Sequence, residues 1–134
     1  MLLSGRMLEN VTSVNGYDLV NEVRFTEGDS GYVHFVIIDL NKDQSMKPPG
    51  RRYIPAASST LSVVIQNVDS SKTITRSASN PYATDTSIWR VQILATDVLK
   101  GTFSLKLALT EVSVITRGVI KNALSVQPQS SVMV

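Results

Sequence analysis

Large apolar residues recur at every second position along Trp89–Ile93 and again along Phe103–Leu109. Trp89, Val91 and Ile93 fall on one side of the first stretch, and Phe103, Leu105, Leu107 and Leu109 on one side of the second. A two-residue period is that of a strand burying one face, so the passage predicts two strands joined through Ala95–Gly101 and a second layer to cover them. Tyr32 to Leu40 is apolar on both faces, with Val33, Phe35 and Ile37 on one and Val36 and Ile38 on the other. That pattern predicts a central strand, or one roofed by another element. Leu19–Thr26 predicts a first strand with Val23 and Phe25 inward, and Leu61–Val68 another. Lys72–Ala78, in which Ile74 alone is strongly apolar, suits a sheet edge. The last two strands are expected at Val112–Arg117 and Val119–Val126, with the turn at Gly118 between them.

About eight strands at intervals of about 8–12 residues define the expected fold class: all-β, a single immunoglobulin-like β-sandwich, with a jelly roll as the alternative. The sandwich is expected over 19–126. Residues 1–18 have no sustained period and read as an N-terminal arm, and 127–134 as a polar C-terminal tail. The segment 41–52 carries Pro48-Pro49-Gly50 and is expected as a long loop, a frequent carrier of function. Apolar residues of the arm, loop arginines and loop tyrosines make up the candidate interface: Leu2, Leu3, Met7, Leu8, Arg51, Arg52, Tyr53 and Tyr82.

Composition narrows the function classes. The 134 residues contain no cysteine, which removes disulfide scaffolds and thiolate chemistry and suits synthesis in a reducing cytoplasm. The 13 basic residues are scattered and the net charge is +2, so the basic footprint of a nucleic-acid binder is missing. The opening apolar run is too short for a signal peptide, and no stretch approaches the roughly 20 residues of a membrane span.

Candidate chemistry is sparse. His34, the single histidine, lies in the most apolar strand and reads as a packed or surface residue, not as part of a hydrolase triad. Asp39-Leu-Asn41-Lys-Asp43-Gln-Ser45 resembles the start of a calcium loop, but Gln44 and Gly50 stand where an EF-hand needs glycine and glutamate. Gly28, Gly31, Gly50, Gly101 and Gly118 are isolated, as turn glycines are, and match no phosphate-binding fingerprint. No catalytic, cofactor-binding or metal-ligating residue is assigned, no cofactor is expected, and the chain is read as not an enzyme.

True immunoglobulin domains carry a cysteine pair, an early tryptophan and a tyrosine corner. Here cysteine is missing, Trp89 comes late, and the corner Asp97–Phe103 ends in phenylalanine. Phe25-Thr-Glu-Gly-Asp29, the strand ending in Asp39-Leu40, Leu61–Ile65, the Ile88–Thr110 passage with Asp97 and Gly101, and Gly118 to Val126 together resemble the immunoglobulin-like domain of tailed-bacteriophage virion proteins, similar to the N-terminal domain of upper-baseplate proteins. The resemblance implies a structural subunit of the virion, made in the host cytoplasm: a baseplate, neck or fibre-base component, or a capsid decoration protein. It implies other virion proteins as partners and a homo-oligomer within the assembly, with no nucleic acid, membrane or small-molecule ligand. The alternative is a carbohydrate- or cell-surface-binding module.

Overall fold

A computed structural model describes residues 2–13, 16–19, 22–26, 30–45, 50–68, 72–82, 86–94 and 101–127. The fold is all-β. In chain order the strands are β1 (Leu3–Ser13), β2 (Gly16–Leu19), β3 (Glu22–Thr26), β4 (Gly31–Asp39), β5 (Arg51–Arg52), β6 (Thr60–Asn67), β7 (Thr73–Ser77), β8 (Ile88–Ile93), β9 (Gly101–Glu111) and β10 (Val114–Gln127).

One layer is built on β4, which pairs antiparallel with β1, β5 and β8. The other runs β10-β9-β6-β7, all antiparallel. Placing β4 with β8 and β6 with β9 and β10 is the connectivity of an immunoglobulin-like sandwich. The layers are joined at one side by β1, whose Ser4–Arg6 also pair in parallel with Val119–Lys121 of β10. At the other side Ser79 and Arg90 exchange two backbone hydrogen bonds of 2.9 and 2.8 Å, tying the chain after β7 to β8.

Strand alternation explains the core. Phe35, Trp89, Leu105, Leu107, Val63 and Ile65 are among the residues buried between the layers, each worth about 1.5–3 kcal/mol relative to exposure. The doubly apolar reading of β4 holds as well: Val36 and Ile38 form a second cluster on the outer face with Leu8 and Ile88, against which Leu40 and Tyr82 pack. β7 is an edge of the path, with its exposed and half-buried residues alternating. Phe25, Asp97 and the corner 95–100 lie outside what is described, Phe25 by its side chain alone.

Two expectations are corrected. Residues 1–18 are not a loose arm: β1 is a central strand between β4 and β10, extended by a hairpin to β2. Gly118 is not a turn, because β10 runs through it, and the reversal lies before β10 begins, at Val112 and Ser113. A Cβ at Gly118 would overlap the carbonyl oxygen of Leu3, so glycine is needed there for β1 to approach.

Candidate functional site: the loop pole

The registers make β4, β7 and β9 run toward one end of the sandwich, from which β1, β6, β8 and β10 depart. The connections between β4 and β6, between β7 and β8 and between β9 and β10 therefore converge at one pole. Side-chain bonds lock them together. The Tyr53 hydroxyl donates to the Glu111 carboxylate, whose oxygens lie at 2.7 and 2.8 Å, and Arg52 Nη1 donates to Ser87 Oγ at 3.2 Å. The Leu40 amide donates to the Leu2 carbonyl at 2.8 Å. The bond to Glu111, and burial after it, push the Tyr53 phenol above its ordinary value.

Within the β4–β5 connection Arg51 forks onto Asp43, Nε to Oδ2 at 2.7 Å and Nη2 to Oδ1 at 3.0 Å. This bond, more than the surrounding charges, holds the Asp43 carboxyl below its usual range. Asp39 accepts from the Asn41 amide at 3.0 Å, an Asx-type turn. Both carboxylates of the supposed calcium loop are thus engaged by donors of the chain itself. Among the described residues no three His, Asp or Glu side chains gather as a metal site.

The pole also carries exposed apolar surface. Leu2, Ile54, Val112, Val114 and Ile115 are all at least half exposed there, whereas Tyr32 and Val68 lie toward the opposite end and Val119, 54% exposed, lies along β10 opposite Ser4 and Lys106. Val112 is the most exposed of them at 88%. It occupies the hairpin turn with φ at 44° and is followed by Ser113 at 66°, the left-handed pair of a type I′ turn. That turn favours Asn-Gly, and a β-branched residue in it is strained by about 1–2 kcal/mol. The strain is not offset by packing, since the valine side chain has almost no contact with its own fold.

At the same end of the sandwich is a cleft of about 210 Å³ between the β5–β6 and β7–β8 connections. Pro55, Ala56 and Ala57 form apolar wall, and Ser59, Asn80, Thr86 and Trp89 complete the lining. Asn80 shapes it by donating Nδ2 to the carbonyls of Thr86 and Ile88, at 3.0 and 2.9 Å. Trp89 is 6% exposed, and its indole Nε1 has no hydrogen-bond partner; nor does the buried Ser59 Oγ. An unpartnered buried donor or acceptor costs about 1–3 kcal/mol, so two beside one cleft mark it as unusual.

On the outer face of the first layer, the Arg90 guanidinium stacks 4.3 Å above the Tyr32 ring, and Tyr32 lies 6.4 Å from His34. His34 faces Arg90 across the β4–β8 ladder. Burial first, and the Arg90 charge second, hold the imidazole below its ordinary value of 6.5.

The eight residues expected as an interface divide three ways. Leu3, Met7 and Leu8 are buried at 2%, 0% and 3% exposure and cannot serve, because β1 delivers the first two to the central core and the third to the outer cluster. Tyr53 and Tyr82 are half-buried and packed against the two clusters. Leu2, Arg51 and Arg52 are exposed at the pole. Val112, Val114 and Ile54 were not singled out by pattern, and Trp89 was read only as an inward strand residue, since a strained turn or an unpartnered indole leaves no trace in composition.

These groups can bind and dock: the pole offers donors, acceptors and apolar contact held on a rigid frame. No protein-family model and no curated protein matches the chain.

Proposed function

We propose that the protein is a non-enzymatic structural subunit of a tailed-phage virion, acting through protein–protein contacts made at the loop pole. The observation that carries the contact reading is the gathering of Leu2, Ile54, Val112, Val114 and Ile115 on one end of the sandwich. Exposed apolar residues grouped at one end of a domain are candidates for a contact surface. Val112 strengthens it, because a strained residue with no packing role of its own points to function at the tip. The virion setting, whether baseplate, neck, fibre base or capsid decoration, follows from the sequence resemblance alone. Other virion proteins and further copies of this chain are the partners.

The test is made on particles. Virions purified from a culture that expresses the gene should contain the chain at a fixed copy number by quantitative mass spectrometry. A Val112→Asp substitution should lower that number several-fold while the purified variant remains folded. Absence from particles, together with a strictly monomeric protein at high concentration, would sink the reading.

A further inference from the structure

We infer that the outer face of the β10–β9–β6 layer, around Lys106 and Arg117, is a docking surface for an extended acidic segment of a partner protein, one that carries carboxylates beside aliphatic side chains. The inference rests on this face alone. It is independent of the virion setting and of the contact made at the loop pole.

Strand alternation builds the face. Leu105, Leu107 and Leu109 of β9 are buried in the core, so Lys106 and Ala108 between them point outward. The registers set Lys106 opposite Val64 of β6 and Val119 of β10, and Ala108 opposite Ser62 and Arg117. Here the surface holds an open groove of about 450 Å³, lined by Val64, Ala108 and Val119 together with the two cations. Val119 is 54% exposed and Val64 half-buried, so the apolar floor of the groove is reached by solvent.

Charge indicates what covers it. Lys106 and Arg117 are both exposed, and neither side chain makes a hydrogen bond or ion pair among the described residues. The positions flanking them on the same face are Ser62 and Val64 on β6, Ser104 and Ala108 on β9, and Ile115 and Val119 on β10, and none is a carboxylate. A sheet gains from opposite charges at neighbouring cross-strand positions and loses from like ones. Two cations set diagonally with no carboxylate beside them serve the fold poorly, and they are complementary to an anionic partner.

The groove also narrows the class of anion. A bare anion would gain nothing from the apolar floor. A nucleic acid would need a track of cations and aromatic platforms, whereas the lining has two cations and no aromatic residue. An acidic polypeptide supplies both carboxylates and aliphatic contact. Diagonal cross-strand neighbours have Cβ atoms about 7–8 Å apart, and alternate side chains of an extended chain are about 7 Å apart, so carboxylates at two alternate positions match the spacing of Lys106 and Arg117. The Arg117 guanidinium can grip one carboxylate through two N–H groups, and the Lys106 ammonium can meet the next as a point charge.

The test follows the backbone amides of Val64, Lys106, Ala108 and Arg117 in ¹H–¹⁵N spectra of the intact protein. The probe is the peptide acetyl-Val-Thr-Glu-Thr-Glu-Thr-Val-amide, whose valines and glutamates share one face when extended. Its glutamine analogue, inorganic phosphate and a ten-residue oligothymidylate are the comparisons. The expected result is a saturable shift confined to this face, of millimolar affinity, weakened about two- to fivefold by Lys106→Gln or Arg117→Gln and by raised salt. The glutamine analogue should bind at least fivefold more weakly. The double variant Lys106→Glu with Arg117→Glu should lose the glutamate peptide and take up its lysine analogue, a swap that a merely structural role would not produce. Both positions are exposed, and the spectrum itself reports whether each variant is folded. Four outcomes overturn the inference: no saturable shift at these amides, equal binding of the glutamine analogue, binding unchanged in both single variants, or a stronger response to phosphate or oligothymidylate than to the peptide.

Discussion

Replacing Val112 with asparagine should make the protein more stable, although the change removes an apolar side chain. Val112 sits at φ 44° and Ser113 at 66°, so both central residues of the β9–β10 turn are left-handed. An L residue there pays about 1–2 kcal/mol, most for β-branched side chains and least for Asn, Asp and Gly. Nothing offsets the strain: Val112 is 88% exposed and so surrenders little packing on replacement. The flanking pair Glu111 and Val114 holds the register, so the turn geometry should survive. The net gain from Val112→Asn is therefore about 1 kcal/mol. In urea, with a slope of about 1–3 kcal/mol/M, the midpoint should rise by about 0.3–1 M, and Tm by about 3–5 °C. Val114→Thr is the control. That residue is 64% exposed on an ordinary strand, and its replacement should stay within about 0.5 kcal/mol. An unchanged or lowered midpoint for Val112→Asn, with the control neutral, would show that the tip is not strained. Val112 would then stand out by its exposure alone.

Three further outcomes are expected. Gly118→Ala should cost about 1–3 kcal/mol in denaturant unfolding, because the added methyl meets the Leu3 backbone, which has no rotamer to yield. Trp89→Ala should cost about 3–5 kcal/mol, since the indole is 94% removed from solvent and packs in the central cluster; a loss below 1 kcal/mol would show that the ring contributes little to that core. Stability should also fall as pH is lowered below His34's ordinary value of 6.5: the unfolded chain binds the proton before the folded one does, so the full contribution is present above 6.5 and is lost down through the depressed folded value. His34→Gln should flatten that slope in urea midpoints measured across the window, and an unaltered slope would assign it to carboxylates instead.

The strands whose inward positions all hold large side chains were legible from pattern. β8 and β9 present Trp89, Val91, Ile93 and Phe103, Leu105, Leu107, Leu109 without interruption, and the structure buries all seven. β1 was not legible, and its sequence shows why. Its inward positions are Leu3, Gly5 and Met7, a period of two whose middle member is glycine because Ile120 fills the space a side chain would take: a Cβ on Gly5 would lie 2.7 Å from Ile120 Cγ1. The outward positions add to the disguise. Ser4 is buried and donates its hydroxyl to the Val119 carbonyl at 3.1 Å, while Leu8 joins the outer cluster. Gly118 misled in the same manner from the opposite strand. Gly5 and Gly118 are the points at which β1 and β10 come into parallel contact, and only knowledge of the partner strand separates a glycine that makes room from one that makes a turn.

Strand direction explains why the β9–β10 tip and the cleft share one end. Trp89 is the second residue of β8, and the alternation that sends its ring into the core leaves the indole beside the connections that cap the strand. Glu111 closes β9 at the same level, and its bond to Tyr53 fixes the β5–β6 connection, which forms the apolar wall of the cleft and presents Ile54 to solvent. Cleft and apolar tip are therefore built on one shared anchor, Tyr53 to Glu111, with Arg52 to Ser87 as a second tie from the preceding strand to the segment before β8. Three groups at this end carry backbone strain or hydrogen-bonding capacity that the fold itself does not use: Val112 in the turn, Ser59 in a connection and the indole of Trp89 on β8.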